Sequence, residues 1–358
     1  MINFFKNKYK LINSIYIFFL FFLIFFIKFS TINVLANSFK IVDLEISKPY
    51  DKKFNKEKVI DTAFEEAFQE LILRITPLKI EELDKLTNLK NIYSLIESFS
   101  IVDEKFIDNK YISKFEVEFN KRNLFRYLES KNIFPSIPNE RDLLIIPILI
   151  NNKTNQLQLF SENIFYKNWN EFNEKYYLLS YILPNEDIED IRLIKKNINN
   201  IEQYNFNEIV KKYEINDYII LILFQNENNI NVLMKINLNN KLIISNKKFN
   251  WKENDSIENI IKDLKVEFET YWKKLNIINV SIKLPITLSV KSKDYKLIQE
   301  LDKKLYELDL VSDYYIDTFS NEEIVYKIIY NSTPDKFINE FTNSSIILNT
   351  NNSVWRVE

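Results

Sequence analysis

The clearest pattern of apolar and polar positions in the chain lies at Lys56–Ile75 and predicts an α-helix. Its apolar residues recur at spacings of three and four, so they form one stripe, and most of its acidic residues lie off that stripe. Pro77 follows and ends the helical pattern. Upstream, residues 39–46 alternate apolar and polar positions, which indicates a half-buried β-strand.

The pattern after this helix predicts an antiparallel sheet. The predicted elements are a helix at residues 88–99, strands at 98–107 and 110–119, and a short helix at 121–130. Asp108 and Asn109 separate the two strands, and both residue types tolerate the positive φ angles of a tight turn. The order of strand, helices, strand, strand and helix favours an α+β unit.

The middle of the chain, residues 141–192, is its most distinctive part. Residues 143–150 are apolar without alternation, which predicts a strand buried on both faces. Pro147 lies inside this run and cannot donate a ladder hydrogen bond, so we expect a sheet edge or a bulge there. A second apolar run at 178–183 precedes Pro184 and a predicted helix at 187–198. The first strand of this stretch is expected to open a central domain.

The pattern of the following residues predicts a hairpin-rich sheet closed by a long helix. The predicted elements are a helix at 207–213, strands at 217–225, 230–238 and 241–249, and a helix at 256–275. Asn239 and Asn240 separate two alternating runs, which is typical of a two-residue hairpin turn. The long helix has one apolar stripe that includes Ile261, Phe268 and Trp272.

The carboxy-terminal residues predict a ferredoxin-like module with the order βαββαβ. The predicted elements are a strand at 280–291, a helix at 294–308, strands at 310–319 and 323–330, a helix from Pro334, and short strands at 345–348 and 353–357. The fold class predicted is therefore α+β, with serial small α/β modules and mainly antiparallel sheets. The predicted modules span residues 37–138, 139–275 and 276–358.

The amino terminus has the pattern of a secretory signal peptide. Basic residues precede an unbroken apolar run at 15–27, and small residues near Ala36 suit cleavage between Ala36 and Asn37. The alternative is an uncleaved inner-membrane anchor formed by residues 15–35. Cleavage would remove four lysines and no acidic residue, so the net charge would change from −2 to −6. A mildly acidic mature chain argues against nucleic acid as a partner.

The composition restricts the chemistry further, because the chain has no His, no Cys and no Gly. Without imidazole or thiol, nucleophile arrangements that pair Ser or Cys with His cannot form. Without Gly, the phosphate-binding loops and the dinucleotide-binding fingerprint are absent. Zinc prefers Cys and His ligands, so a structural zinc site is not expected. Carboxylates, Lys, Tyr, Ser and Thr remain for catalysis, and no cofactor or catalytic residue is indicated.

One acidic cluster in the middle stretch has two interpretations. Asp187, Glu189 and Asp190 begin a predicted helix, where acidic residues cap exposed amides and interact favourably with the helix dipole. Oxygen ligands at this density also suit a hard cation or acid–base chemistry. We expect the capping role, and we keep a carboxylate-dependent hydrolase or transferase centred on Asp187 and Asp190 as the alternative.

Several of these segments resemble known envelope proteins. Residues 213–275 resemble the amino-terminal α/β domain of TolB and related proteins in the order of their elements, with Trp272 near the end of the long helix. A wider resemblance, to an exported Gram-negative family of unknown function, rests on the helix at 63–75, the strand at 115–119, the apolar strand ending at Pro147, Trp169, Pro184, Asp187 and Asp190. That family typically reads Pro-Gly-Asp-x-x-Asp, whereas this chain reads Pro184-Asn-Glu-Asp187-Ile-Glu-Asp190, without the Gly and one residue longer.

The resemblance implies export and an envelope location and brings no established activity. We therefore expect a periplasmic, non-enzymatic interaction or assembly protein whose partners are envelope proteins. Contact with the membrane is expected only through an uncleaved signal segment. Trp169, Pro184, Asp187 and Asp190 are the candidate structural or functional centre, and a small-ligand carrier with an aromatic-lined pocket is a further alternative.

Overall fold

The computed structural model describes residues 39–251, 257–342 and 346–358. The predicted signal segment, with its cleavage position between Ala36 and Asn37, lies outside these ranges and stays a prediction. Across the three ranges, no helix combines the length and apolar character that crossing a membrane requires.

The first sheet has three antiparallel strands in the order β1-β3-β2. The elements of this layer are β1 (Lys40–Pro49), α1 (Lys56–Ile75), α2 (Leu89–Leu95), β2 (Ile96–Ile107), β3 (Lys110–Phe119) and α3 (Lys121–Ser130). The apolar stripe of α1 packs on the sheet, and Phe68 of α1 and Phe115 of β3 are fully buried between the helix and the sheet. Asp108 and Asn109 have φ angles of 50° and 58°, so the predicted tight turn is confirmed.

The predicted helix at 88–99 is wrong in its second half. Helix α2 ends at Leu95, and Ile96 already pairs with Phe119 as the first residue of β2. Pairing along the whole length of β3 therefore overrides the local helical pattern of these residues. Strand β2 is consequently 12 residues long and lies at the edge of the sheet.

The central sheet has six strands, in the order β5-β4-β7-β8-β9 with β6 also paired to β4. Its elements are β4 (Arg141–Asn151), β5 (Gln156–Gln158), α4 (Ile164–Asn168), β6 (Leu179–Ile182), α5 (Ile188–Lys196), α6 (Asn207–Val210), β7 (Tyr218–Gln225), β8 (Asn229–Leu238), β9 (Lys241–Asn250) and α7 (Ile257–Leu275). Strands β6, β4 and β7 are parallel, whereas β7, β8 and β9 are antiparallel. The hairpin at Asn239 and Asn240 is confirmed by φ angles of 50° and 60°.

Pro147 lies in β4 at a local edge, as its missing N–H predicted. On one side β4 pairs with β7 along its length. On the other side, β6 pairs with residues 141–144 and β5 with residues 149–151, so Pro147 falls in the gap between them. The side-chain amide of Asn163 donates a 3.0 Å hydrogen bond to the Pro147 carbonyl oxygen in this gap.

Two separate hydrophobic clusters cover the two faces of the central sheet. One face packs against α7 and α4, with Phe268 and Trp272 fully or almost fully buried. The other face packs against the segment that contains α5 and α6, with Ile194 and Ile209 buried. Strand β4 contributes alternate residues to both clusters, so the prediction of a strand buried on both faces is confirmed.

The last sheet has the strand order β11-β12-β10-β14-β13. The elements here are β10 (Leu284–Lys291), α8 (Tyr295–Glu307), β11 (Val311–Phe319), β12 (Glu323–Tyr330), α9 (Pro334–Phe341), β13 (Leu348–Asn349) and β14 (Trp355–Val357). Two short strands end the chain, as predicted, but β14 runs parallel to β10, and β13 pairs on its outer side, so the sheet is not wholly antiparallel. The ferredoxin-like detail of the prediction is therefore not confirmed.

The first and last layers share one hydrophobic cluster that includes residues from 39–128 and 278–357. At their junction, Nζ of Lys121 donates to the carbonyl oxygen of Leu308, and Arg122 pairs with Asp313 at 3.0 Å. Helices and strands occupy 36% and 35% of the described residues, and the sheets are mostly antiparallel, so the predicted α+β class is confirmed. The predicted module boundaries stay a prediction.

Candidate functional site

Asp187 and Asp190 lie at the start of α5 and share one cation, Lys212. Nζ of Lys212 lies 2.7 Å from Oδ2 of Asp187 and 2.7 Å from Oδ1 of Asp190. Oδ1 of Asp187 also accepts a 2.7 Å hydrogen bond from the amide of Glu189, so this side chain caps α5. The hydrogen bond from Lys212 lowers the pKa of Asp187, and the two carboxylates raise the pKa of Lys212. The predicted capping role is therefore present, and a cation of the chain itself compensates the cluster.

Trp169 and Pro184 have structural contacts of their own. Trp169 is fully buried, with its ring centroid 5.5 Å from that of Tyr181 and 6.3 Å from that of Phe268. The carbonyl oxygen of Pro184 accepts a 2.8 Å hydrogen bond from the hydroxyl of Tyr166. Both residues therefore hold neighbouring segments in place.

The structure does not bring the predicted centre together as one site. Trp169 belongs to the cluster on the α7 face of the central sheet, whereas α5, which begins after Asp187, packs on the opposite face. The apolar pattern of the helix at 187–198 predicts that Ile188 faces inward, and this is wrong, because its side chain is 69% exposed in the first turn of α5.

The sequence pattern missed a row of three buried charged side chains on α7: Lys265, Glu269 and Lys273. Their exposed fractions are 0%, 2% and 4%. A spacing of four residues places them on one side of the helix. Charged residues are rarely buried this completely unless they are paired, so each should have specific partners.

Lys265 donates to two oxygen acceptors in the segment before β6. Its Nζ lies 2.6 Å from the carbonyl oxygen of Phe172 and 2.5 Å from Oδ1 of Asn173. The same ammonium lies 5.2 Å from the ring centroid of Tyr181 and 5.8 Å from that of Trp169. Burial lowers the pKa of Lys265 to about 8, and Glu269 opposes that shift.

Glu269 and Lys273 join three parts of the fold. Oε1 of Glu269 accepts hydrogen bonds of 2.8 Å from the amides of Leu178 and Leu179, where β6 begins. Oε2 of Glu269 lies 3.5 Å from Nζ of Lys273, which donates at 2.6 Å to the carbonyl oxygen of Leu73 in the last turns of α1. Burial raises the pKa of Glu269 and lowers that of Lys273, and each charge partly offsets the shift of the other. The pair therefore links α1, β6 and α7.

A cleft of about 460 Å³ lies beside this linkage. Leu73, Leu78, Tyr176 and Tyr177 line it together with residues of α7 that include Glu269. The volume falls within the range of small-molecule sites. Oε1 of Glu269 accepts from the amides of Leu178 and Leu179, whereas Oε2 has no hydrogen-bond partner among the described residues and lies 3.5 Å from Nζ of Lys273. Glu269 therefore joins α7 to the start of β6 and keeps one buried carboxylate oxygen beside the cleft.

An exposed feature of the first layer is a set of apolar side chains along the edge strand β2. We call this set the β2 strip: Tyr50, Tyr93, Phe99, Val102, Phe106 and Ile107. Each of these side chains is between 47% and 61% exposed. The ring centroids of Tyr50 and Phe106 lie 4.9 Å apart, and Phe99 lies 5.0 Å from Phe64 of α1. Phe99 and Phe106 lie on the face of β2 toward α1, with Glu104 between them, whereas Ile107 lies on the other face. Several exposed apolar side chains along one edge strand are more often part of an interaction site than a single one is.

Among the described residues, no group of three or more metal-ligating side chains could hold a metal ion.

Comparisons with known proteins identify no family. No family model matches the chain, and no curated protein matches it. A solved structure described as "Crystal structure of uncharacterized protein" is similar over 38% of this chain and 92% of that chain, with 6% identity. Its TM-score of 0.16 is too low to carry an argument about fold or function.

Proposed function

We propose that this chain is an exported, non-enzymatic interaction protein of the cell envelope that binds an extended segment of a partner protein along β2. The observation that carries the proposal is the β2 strip on an edge strand. The signal-like pattern of residues 1–36 supports a periplasmic location.

An edge strand offers a partner both backbone and side-chain contacts. One side of β2 pairs with β3, and the other side ends the sheet. Edge strands present unpaired amides and carbonyls, and an added strand uses these groups for affinity while pockets between side chains give specificity. The register of β2 shifts between Ile101 and Asp103, which marks a bulge at Val102. Bulges limit pairing at sheet edges, so this bulge opposes general aggregation along β2.

The two alternative functions receive less support from the geometry. The hydrolase alternative requires available carboxylates, but Asp187 and Asp190 share Lys212, and Asp187 also caps α5. The carrier alternative requires an aromatic-lined pocket, and its support is limited to the cleft beside Glu269, which Tyr176 and Tyr177 help to line.

The valine in the middle of the β2 strip provides the test. Val102→Lys places a charge on the edge, and charged edge residues block strand addition. Because Val102 is 60% exposed, we expect this substitution to change the free energy of unfolding by no more than about 0.5 kcal/mol. In affinity purification from the cell envelope, the tagged Val102→Lys variant should recover at least about tenfold less partner than the tagged unmodified protein does. This ratio corresponds to about 1.4 kcal/mol of binding free energy.

The matched control is Val42→Lys on the opposite edge strand, β1. Val42 is 48% exposed and also lies at a register shift, between Ile41 and Leu44. We expect this variant to retain the partner at the level of the unmodified protein. Equal loss of the partner in both variants, or recovery of the chain alone under every condition, would contradict docking at β2.

A further inference from the structure

We infer that the cleft beside Glu269 binds a small uncharged molecule that has a ring and a hydroxyl group. The site is separate from the proposed docking strand, because its lining comes from α1 and the residues after it, from residues 176–177, from β9 and from α7. The inference is carried by an unpartnered carboxylate oxygen, by the ammonium next to it and by the aromatic side chains of the lining.

One oxygen of a buried carboxylate in this lining lacks a hydrogen bond. Glu269 is 2% exposed, and its Oε2 has no hydrogen-bond partner within the ranges that the structure describes. Its Oε1, by contrast, accepts from the amides of Leu178 and Leu179. A buried acceptor without a partner is costly, and in folded proteins such groups are usually satisfied by water or a ligand. We therefore expect Oε2 to accept from a donor outside the chain.

The cation next to this oxygen favours a hydroxyl as the donor. Nζ of Lys273 lies 3.5 Å from Oε2 of Glu269, and Lys273 lines the same cleft. This ammonium has three donor hydrogens and uses one on the carbonyl oxygen of Leu73. A hydroxyl both donates and accepts, so its single oxygen can bridge the carboxylate and the ammonium. A carboxylate in that position would be repelled by Glu269, and an ammonium would be repelled by Lys273.

The rest of the lining favours an uncharged ring. Tyr176 and Tyr177 have ring centroids 5.1 Å apart at an interplanar angle of 81°, and Tyr271 of α7 belongs to the same lining. Aromatic side chains pack favourably on a further ring, either stacked or edge to face. Leu73 and Leu78 add apolar surface, and the charged side chains of the lining are four lysines and four carboxylates, so their charges balance. The volume of about 460 Å³ accommodates such a molecule.

Four ring compounds of similar size test this inference with the whole protein. They are benzyl alcohol, benzyl methyl ether, benzylammonium and benzoate, and the alcohol alone among them has a hydroxyl group. Ligand-detected NMR titrations should give benzyl alcohol a Kd of about 1 mM, within the range for a ligand of about eight non-hydrogen atoms. The other three should bind at least about tenfold more weakly, because the ether has no donor hydrogen and each charged compound is repelled by Glu269 or Lys273.

Matched variants assign the binding to the cleft. Thr270 lines the cleft, whereas Thr62 lies on α1, and each hydroxyl donates to the carbonyl oxygen four residues earlier, at 2.8 Å and 2.9 Å. Thr270→Phe should abolish binding of benzyl alcohol by filling the cleft, and Thr62→Phe should retain it. Glu269→Gln replaces one carboxylate oxygen with an amide nitrogen, so the preference for the alcohol over the ether should be lost. Val102→Lys should leave binding unchanged, because β2 is separate from the site.

Several results would overturn the inference. These are no binding of benzyl alcohol up to about 10 mM, equal affinities for the alcohol and the ether, tighter binding of a charged compound, or equal effects of the two threonine variants. The comparison of the four compounds uses the unmodified protein, so it decides the question even if a variant does not fold.

Discussion

Replacing Glu269 with alanine is expected to lower the free energy of unfolding by about 3–5 kcal/mol, the range for removing one partner of a buried ion pair. The substitution leaves the amides of Leu178 and Leu179 without their acceptor and leaves Lys273 buried with an uncompensated charge. Chemical denaturation of the purified protein, followed by circular dichroism, measures this change.

Glu258→Ala is the matched control for this prediction. Glu258 lies on the same helix and pairs with Lys262 at 2.8 Å, but its side chain is 53% exposed. Exposed pairs contribute little to stability, so this variant should remain close to the unmodified protein. Similar unfolding free energies for the two variants would show that Glu269 does not hold α1, β6 and α7 together.

The second large effect is a dependence of stability on pH that Lys265 introduces. Burial lowers the pKa of Lys265 to about 8 in the folded chain, against 10.5 for the unperturbed group. The folded state therefore holds this proton less tightly than the unfolded state, and stability increases as pH rises through this window. Between about pH 7 and pH 10.5, the free energy of unfolding of the unmodified protein should increase by about 3 kcal/mol relative to that of the Lys265→Met protein.

In the comparison with Lys265→Met, the contributions of the tyrosines and of the other lysines to the pH dependence cancel, because both proteins contain them. Lys262→Met serves as the control, because Lys262 is exposed on the same helix and its pKa is raised by Glu258. The Lys262→Met protein should show no comparable gain with pH. If the difference in the free energy of unfolding between the unmodified protein and Lys265→Met did not change with pH across this window, the lowered pKa of the buried Lys265 would be contradicted.

Local patterns predicted those elements whose structure depends on near neighbours. The stripe of α1 predicted its bounds at Lys56 and Ile75, and the turn residues predicted two-residue hairpin turns at Asp108-Asn109 and Asn239-Asn240. In these cases a residue spacing or a turn residue restricts the backbone directly. Pro147 belongs with them, since a missing N–H fixes where a strand can lack a neighbour.

The charged row on α7 could not be found in the same way. Periodicity assigns Lys265, Glu269 and Lys273 to solvent, since a polar helix face usually is exposed. Their partners lie far away in sequence: Phe172 for Lys265, the start of β6 for Glu269 and Leu73 for Lys273. Only the assembled layers show that these positions are covered. One usable signal is the continuous Lys-Glu-Lys spacing of four beside the apolar stripe.

The β2 strip was missed for a related reason. The predicted strand at 98–107 covers most of β2, and only its first residues were assigned to the preceding helix. Whether a strand lies at an edge depends on the order β1-β3-β2, which the sequence of elements does not determine. Phe99 and Phe106 then appear as ordinary core residues, although each is close to half exposed or more.

Site-specific photo-crosslinking in living cells tests docking at β2 most directly. A photoreactive amino acid would replace Val102 in one protein and Val42 in another, and the products would be identified by mass spectrometry. The account predicts one discrete adduct from position 102, with a different protein and through an extended segment of it, and no such adduct from position 42. Equal adducts from both positions, no adduct from position 102, or an adduct between two copies of this chain would contradict it.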